Sequence, residues 1–288
     1  MKRFLILCLL YAPAVSAAAA DDSASAGASE AFLFNFQGSA QHSRYNFTDI
    51  KKPYDGIDGY AVLKGDWWFI PRSRVAGLYL EVVPVYSGAE EFWWQRNAQL
   101  AAGIEYLPLS QSGPAALKGV RLYAFMAWRS YYDKPAGTVP QKKDFQAGVD
   151  YYYENLLSKP VGAAYMAFAN IGYRRTNFSD DDYHAFTYIG NVKAGPKLIP
   201  AGKTFLFPYG LMDWTCSPSY RYRWWENFVR AGVGTEWYLF LEPGRRLNIF
   251  AEWLSHAASP GHGLPAKVAK SDFRAGVRFS LGGPYRYR

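Results

Sequence analysis

The sequence predicts an all-β fold, an antiparallel transmembrane β-barrel of about 12 strands. From Ser271 to Leu281, apolar residues alternate with arginine, glycine and serine, which is the period of a strand whose two faces meet different surroundings. Aromatic residues make up 18% of the chain, and beyond the amino terminus no segment is long and apolar enough for a membrane-spanning helix. If such a chain enters a membrane, it must do so as a closed barrel, because only a barrel then satisfies every backbone group in lipid.

The amino terminus predicts export. Two basic residues precede a short apolar run, and an A-x-A-type cleavage site ends at Ala17, with a rival site at Ala20. We assign residues 1–17 to a signal peptide, 18–30 to a flexible periplasmic lead-in of low complexity, and 31–288 to a barrel in the bacterial outer membrane. Removal of the signal leaves Cys216 as the single cysteine, so no intramolecular disulfide is expected.

Twelve segments carry strand-like patterns. An even number returns both ends of the chain to the periplasm, as single-chain bacterial barrels require. A motif of Ala-Gly-Ile or Ala-Gly-Val recurs in four of the segments with its glycine on the polar face, as at Gly232. A bare position of this kind widens the lumen, lets another segment approach closely, or eases the curvature of the strand. The predicted strands are 31–39, 57–68, 75–87, 93–108, 119–132, 144–155, 162–175, 184–195, 204–215, 227–241, 246–256 and 272–282.

The connections between these segments alternate in character. One set is compact and marked by proline or glycine, as in 195–203, and is assigned to the periplasmic side. The other set is more polar and often longer, as in 41–56, and is assigned to the outer side. Many aromatic residues lie in pairs near predicted strand ends, which is typical of interfacial girdles. The pairs are Trp67 with Trp68, Trp93 with Trp94, Tyr131 with Tyr132, and Trp224 with Trp225.

Charged residues of both signs occupy the polar phase of the alternation and should face the lumen. In a narrow barrel such groups pair with one another and fill the interior. In a channel they set selectivity. The predicted lumen charges are Arg129, Asp150, Glu154, Arg174, Arg230, Glu236, Glu252, Arg274 and Arg278.

One outer loop, Ser217 to Asn227, combines aromatic and basic side chains. Aromatic faces and guanidinium groups are suited to gripping sugar rings and anionic groups, which predicts a site for a polysaccharide or a phage. An interfacial belt that anchors the rim in lipid head groups is an equally good and compatible interpretation. The candidate binding residues are Tyr220, Arg221, Tyr222, Arg223, Trp224 and Trp225.

The residues needed for hydrolysis are not found at a recognisable spacing. Outer-membrane lipid hydrolases of this size carry a histidine two residues before a serine, and none of His42, His184, His256 and His262 has that neighbour. No metal-ligand cluster is visible either. The sequence therefore predicts no enzymatic activity, no cofactor and no metal. An outer-membrane lipid hydrolase with a nonlocal dyad, or a secreted soluble all-β binding protein, is the alternative.

The net charge of +8 is spread along the chain and forms no clustered basic stripe, so no nucleic-acid partner is expected. A net positive charge suits contact with outer-membrane lipid, lipopolysaccharide or acidic polysaccharide. The last strand also resembles the carboxy-terminal signal of bacterial outer-membrane barrels, on the residues Arg274, Gly276, Phe279 and Leu281. That resemblance implies recognition by the barrel assembly machinery.

The stretch Phe205 to Ala257 resembles the carboxy-terminal barrel of the bacteriophage adsorption protein A family. The similar features are FPYGLMDW, the aromatic loop, and ENFVRAGVGTEWYLFLEPGRRLNIFAEWL, in which a Gly-rich strand, a short turn and a strand containing Trp253 follow one another. Members of this family are outer-membrane proteins associated with exopolysaccharide secretion and used as phage receptors. The resemblance implies an envelope export or surface-receptor component, and it carries no catalytic residues over to this chain.

Overall fold

A computed structural model shows a closed barrel of 12 antiparallel strands, which confirms the predicted fold class. The predicted signal peptide and lead-in lie outside the described residues. No helix in the described part of the chain is long and apolar enough to cross a membrane. The structure describes residues 31–45, 54–70, 74–88, 96–109, 114, 117–132, 143–156, 162–176, 183–201, 204–218, 227–242, 245–258 and 271–282.

Each strand pairs with its neighbours in sequence, and the first strand pairs with the last. The closing ladder runs from Phe36 opposite Leu281 to Tyr45 opposite Asp272. Closure leaves the sheet no open edge, so the ladder hydrogen bonds continue around the whole circumference. The strands are β1 (Phe32–Tyr45), β2 (Tyr54–Trp68), β3 (Ala76–Ser87), β4 (Asn97–Tyr106), β5 (Val120–Tyr131), β6 (Lys143–Glu154), β7 (Gly162–Thr176), β8 (Tyr183–Ala201), β9 (Thr204–Cys216), β10 (Phe228–Glu242), β11 (Arg245–Ala258) and β12 (Ser271–Leu281).

The largest departures from the predicted strand bounds are in β1 and β8. β1 continues to Tyr45, because residues assigned to an outer loop pair with both β2 and β12. β8 continues to Ala201 through most of the predicted turn 195–203. Its pairing with β9 passes from Ala194 directly to Leu198. Two prolines, Pro196 and Pro208, lie within this gap, and neither has the N–H that a ladder bond needs.

The outer wall of the barrel is apolar. Large hydrophobic side chains project outward at alternate positions, as Leu78, Leu80 and Val82 do on β3. Val233 on β10 is 60% exposed. A surface of this kind fits lipid, and it excludes the soluble alternative, since soluble monomers rarely expose large contiguous apolar patches. The chain is a bacterial outer-membrane β-barrel.

Only one member of each described aromatic pair can belong to a girdle. Trp67 faces outward and is 64% exposed, whereas Trp68 faces the lumen and is 7% exposed. Tyr132 is likewise exposed, while Tyr131 interacts with the inward-facing Arg129. Successive side chains on a strand point to opposite faces, so the prediction of paired girdle residues was wrong for Trp68 and Tyr131. Trp93, Trp94, Trp224 and Trp225 lie outside the described residues.

Candidate functional site in the barrel lumen

The lumen is filled on one side. A cluster of buried aromatic and aliphatic side chains projects inward from strands between β6 and β11 and packs across the interior. The rings of Phe205 and Tyr238 stack at a centroid distance of 4.5 Å. Its members are Tyr152, Leu156, Ala164, Met166, Phe205, Phe207, Tyr209, Leu211, Tyr238 and Leu254.

Four charged groups complete this packed side. The Nζ of Lys193 lies 2.6 Å from a carboxylate oxygen of Glu236 and 2.6 Å from one of Glu252. Arg278 donates to the same two carboxylates at 2.7 and 3.0 Å. Tyr209 donates to Glu252 at 2.8 Å. Two cations therefore face two anions in a fully buried group, which is the composition that a buried ionic cluster needs.

Further ion pairs brace the packed side towards the end of the barrel that lies opposite the start of β1 and the end of β12. Arg230 donates to Asp213 at 2.8 and 2.5 Å and to Asp272 at 2.9 Å. Arg274 also donates to Asp272, at 2.7 Å. These contacts join β9, β10 and β12 across the interior, so this part of the wall and its filling form one structure.

The other side of the lumen holds an open cavity of about 970 Å³. Its lining comes from β1 to β8 and mixes charged, amide and aromatic side chains. The start of β1, the end of β12 and the two-residue turns lie at one end of the barrel, which we call the turn end, and the opposite end is the loop end. The cavity extends from the turn end towards the loop end. The lining includes Asn35, Gln37, Lys64, Asp66, Arg74, Glu81, Gln99, Glu105, Lys118, Arg121, Tyr123, Phe125, Arg129, Gln146, Asp150, Glu154, Phe168, Asn170, Arg174 and Ile189.

Near the turn end, five charges of alternating sign form a ladder across β2, β4, β5 and β6. Lys64 pairs with Asp66 and donates to Glu105 at 2.8 Å. Arg121 donates to the same Glu105 at 3.0 Å and to Asp150 at 2.9 Å. Three carboxylates share two cations in this acidic ladder, so its own balance is one negative charge.

In a second charged group, towards the loop end, the cations outnumber the carboxylates. Asp144 accepts two hydrogen bonds from Arg174, at 3.2 and 2.8 Å, and one from Arg129 at 3.5 Å. Arg129 also donates to the neutral amide of Gln99 at 2.9 Å. The Asp144 side chain is 1% exposed, whereas those of Arg129 and Arg174 are 20% and 29% exposed. Two guanidinium groups thus share one buried carboxylate at the cavity wall, and we call these three residues the arginine station.

The structure places all nine predicted charges on inward-facing positions. Arg129, Asp150, Glu154 and Arg174 line the cavity. Arg230, Glu236, Glu252, Arg274 and Arg278 belong to the packed side. Every one of them has an ion-pair partner.

Several other inward-facing charged residues with ion-pair partners are missing from that prediction. Lys193 is the cation between two buried glutamates, and Lys64, Glu105 and Arg121 form most of the acidic ladder. The period of two runs through β2, β4, β5 and β8 as well, and counting its inward phase there would have found them.

The candidate residues of the outer loop, Tyr220 to Trp225, lie outside the described residues. The base of that loop is described, and the backbone N–H of Ser217 donates to Asn227 Oδ1 at 2.9 Å.

His42, one of the histidines relevant to the hydrolase alternative, lies on a different surface. His42 Nε2 is 2.6 Å from Asp55 Oδ1, and both side chains are about half exposed on the outside of β1 and β2. No group of three or more His, Cys, Asp or Glu side chains in the described ranges is arranged to hold a metal ion.

No protein-family model and no curated protein matches this sequence. Similar solved structures include the β domain of the Bordetella autotransporter BrkA (13% identity, 86% of this chain and 99% of that chain, TM-score 0.41). An outer-membrane channel from Pseudomonas putida F1 is 12% identical over 86% of this chain and 94% of that one, with a TM-score of 0.42. A bacterial polysaccharide outer-membrane secretin is 9% identical over 89% and 99% of the two chains, with a TM-score of 0.39. At these identities the similarity concerns architecture and transfers no ligand to this chain.

Proposed function

We propose that this barrel is an envelope export component that gives a narrow polar chain, such as an extracellular polysaccharide, a path along one side of its lumen. The observation that carries the proposal is the one-sided interior, in which a cavity of about 970 Å³ runs beside a packed half. A passage of this kind admits a slender chain in single file and excludes a folded domain.

The chemistry of the cavity wall supports a saccharide. Side-chain amides, as in Gln37, Gln146 and Asn170, alternate with aromatic rings such as Tyr123 and Phe125. Amides exchange hydrogen bonds with hydroxyl groups, and aromatic rings pack against the apolar faces of sugar rings. The resemblance of Phe205 to Ala257 to a family associated with exopolysaccharide secretion points in the same direction.

The test is electrical. Barrel refolded into a planar bilayer should conduct ions, and a neutral oligosaccharide added on either side should reduce the current. Ile189 lines the cavity, so Ile189→Trp should lower conductance severalfold by filling it. Ile171 on the adjacent strand faces outward and is 53% exposed, so Ile171→Trp adds the same bulk to the lipid side and should leave conductance unchanged. A wild-type barrel that inserts without conducting, or equal effects of the two variants, would contradict the proposal.

A surface-receptor role, for an anionic polysaccharide or a phage, is the second candidate. The observation that favours it is the hydrogen bond between Ser217 and Asn227, which fixes the base of the aromatic-basic loop on the rim. A loop with a fixed base loses less conformational entropy when it binds than a free one.

A further inference from the structure

Two charged groups of different composition lie along the cavity and bear on what it binds. Near the turn end, the acidic ladder carries three carboxylates against two cations. Near the loop end, the arginine station carries two guanidinium groups against one carboxylate. β5 contributes a cation to both groups, with Arg121 in the ladder and Arg129 in the station. The two positions are eight residues apart, or about 26 Å along the strand.

From this arrangement we infer that Arg129 and Arg174, held by Asp144, form a binding site for the carboxylate of an acidic saccharide. The inference rests on the proposed function and names the class of substrate that the cavity takes. Three features carry it: two guanidinium groups that line the cavity beside one shared carboxylate, the way the two arginines are fixed, and the surroundings of the site.

The two arginines are fixed in place before any ligand arrives. Asp144 holds Arg174 through both its Nε and its Nη2. Gln99 accepts from the Nε of Arg129, and Gln146 donates to Asp144 at 3.0 Å. A guanidinium group presents its donors in a planar fork that matches a carboxylate, and fixing the fork in advance reduces the entropy lost on binding.

The make-up of the station suits a carboxylate. It already holds one, that of Asp144, between two guanidinium groups. Of its three charged side chains two are cations, so the group by itself attracts an anion. The ligand that we infer is a chain that carries carboxylates among its hydroxyl groups.

The neighbouring wall supplies contacts for the rest of the sugar. Tyr123 and Phe125 lie on β5 between the two charged groups, with their rings stacked at a centroid distance of 5.8 Å. Asn170 donates to the Tyr123 hydroxyl at 2.8 Å and lines the same cavity. A saccharide whose carboxylate lies on the arginines thus has an aromatic and amide surface beside it on the side of the turn end.

The experiment is a calorimetric titration of the refolded barrel in detergent, which requires no open pore. A short oligoglucuronate should bind more tightly than a neutral glucan of the same length. The double variant Arg129→Gln with Arg174→Gln should weaken oligoglucuronate binding at least about tenfold, since it removes both charged donors, and should leave glucan binding unchanged. Arg175→Gln removes an exposed outward-facing cation one residue away and serves as the matched control, with no effect expected.

Asp144→Asn gives a second and opposite expectation. Loss of the competing carboxylate should strengthen oligoglucuronate binding severalfold, because the amide oxygen of asparagine can still accept from Arg174 and keep its guanidinium group in place. Heat-modifiable gel mobility verifies that each variant is a closed barrel before titration.

Equal binding of glucan and oligoglucuronate, no loss in the double variant, or inorganic phosphate binding as tightly as oligoglucuronate would overturn the inference. Failure of conductance with intact, arginine-dependent oligoglucuronate binding would remove the export function and leave the site. Conductance without that binding would remove the site and leave the export function.

Discussion

Lys193 lies between Glu236 and Glu252 in a part of the lumen where its side chain is 1% exposed. At the scale of single residues, this position shows how a barrel interior tolerates charge. Each buried charge there has a partner of opposite sign, and the hydroxyl of Tyr209 and the amide of Asn248 satisfy further lone pairs. Such a cluster adds little net stability when intact, but it is costly to break.

Lys193→Met should therefore destabilise the barrel strongly. The change leaves two buried carboxylates facing Arg278 alone, and the expected loss is about 3–5 kcal/mol in the free energy of unfolding. Urea unfolding of the barrel in lipid vesicles measures it. The double variant Lys193→Met with Glu252→Gln restores equal numbers of charges and should recover part of the loss. A double variant no more stable than the single one would show that packing, and not charge balance, sets the cost.

At the scale of the strands, the recurrent Ala-Gly-Val motif shows where backbone contact is closest. A Cβ atom at Gly232 of β10 would lie 1.9 Å from the carbonyl oxygen of Trp253 and 2.8 Å from the Cα of Leu254 on β11. The same motif in β12 brings Gly276 equally close to β1, where a Cβ would lie 2.2 Å from the carbonyl oxygen of Ala40. Of the three explanations for the bare positions, close approach of a neighbouring segment fits both strands.

Gly232→Ala should consequently force β10 and β11 apart. We expect a loss of about 1–3 kcal/mol, the usual range for overpacking. Gly210 on β9 is the matched control, because a Cβ there would meet only the carbonyl oxygen of Ala194 at 3.9 Å. Gly210→Ala should be close to neutral in the same unfolding assay. If the two substitutions cost the same, backbone proximity is not the reason for glycine at position 232.

At the scale of the whole molecule, the two proposed roles belong to different surfaces, the lumen wall and the rim at the loop end. The lumen offers the cavity and the arginine station. The rim offers the loop between Ser217 and Asn227, whose base is hydrogen bonded. The export and receptor roles can therefore be tested independently on one protein.

The triple variant Tyr222→Ala, Arg223→Ala and Trp224→Ala tests the receptor role. If the loop grips an anionic polysaccharide or a phage tail, each side chain should contribute about 1 kcal/mol, so capture should fall by about two orders of magnitude. Conductance through the lumen should not change. If the loop serves only as an anchor in lipid head groups, the melting temperature in detergent should fall while ligand capture stays intact. Capture and melting measured on the same preparation separate the two roles.

The sequence by itself determined the number of strands, their order and the face on which most strand residues lie. These features are readable because the lipid outside and the polar lumen inside impose a local period of two, visible within ten residues of any strand. All 12 predicted segments are strands in the barrel. The main errors at strand ends, in β1 and β8, arose where strands extend beyond the apolar pattern, held by pairing with their neighbours.

Only the tertiary structure decided which inward-facing groups meet. Lys193 and Glu252 are 59 residues apart, and Arg246 donates to Glu154 across 92 residues at 2.5 Å. Closure of the barrel and the stagger of its strands bring such residues together, and neither is encoded in a local pattern. The same closure packs one half of the lumen and leaves the other open. The sequence thus supplied a lumen with charges of both signs, and the three-dimensional arrangement gave that lumen an acidic ladder near the turn end and an arginine station towards the loop end.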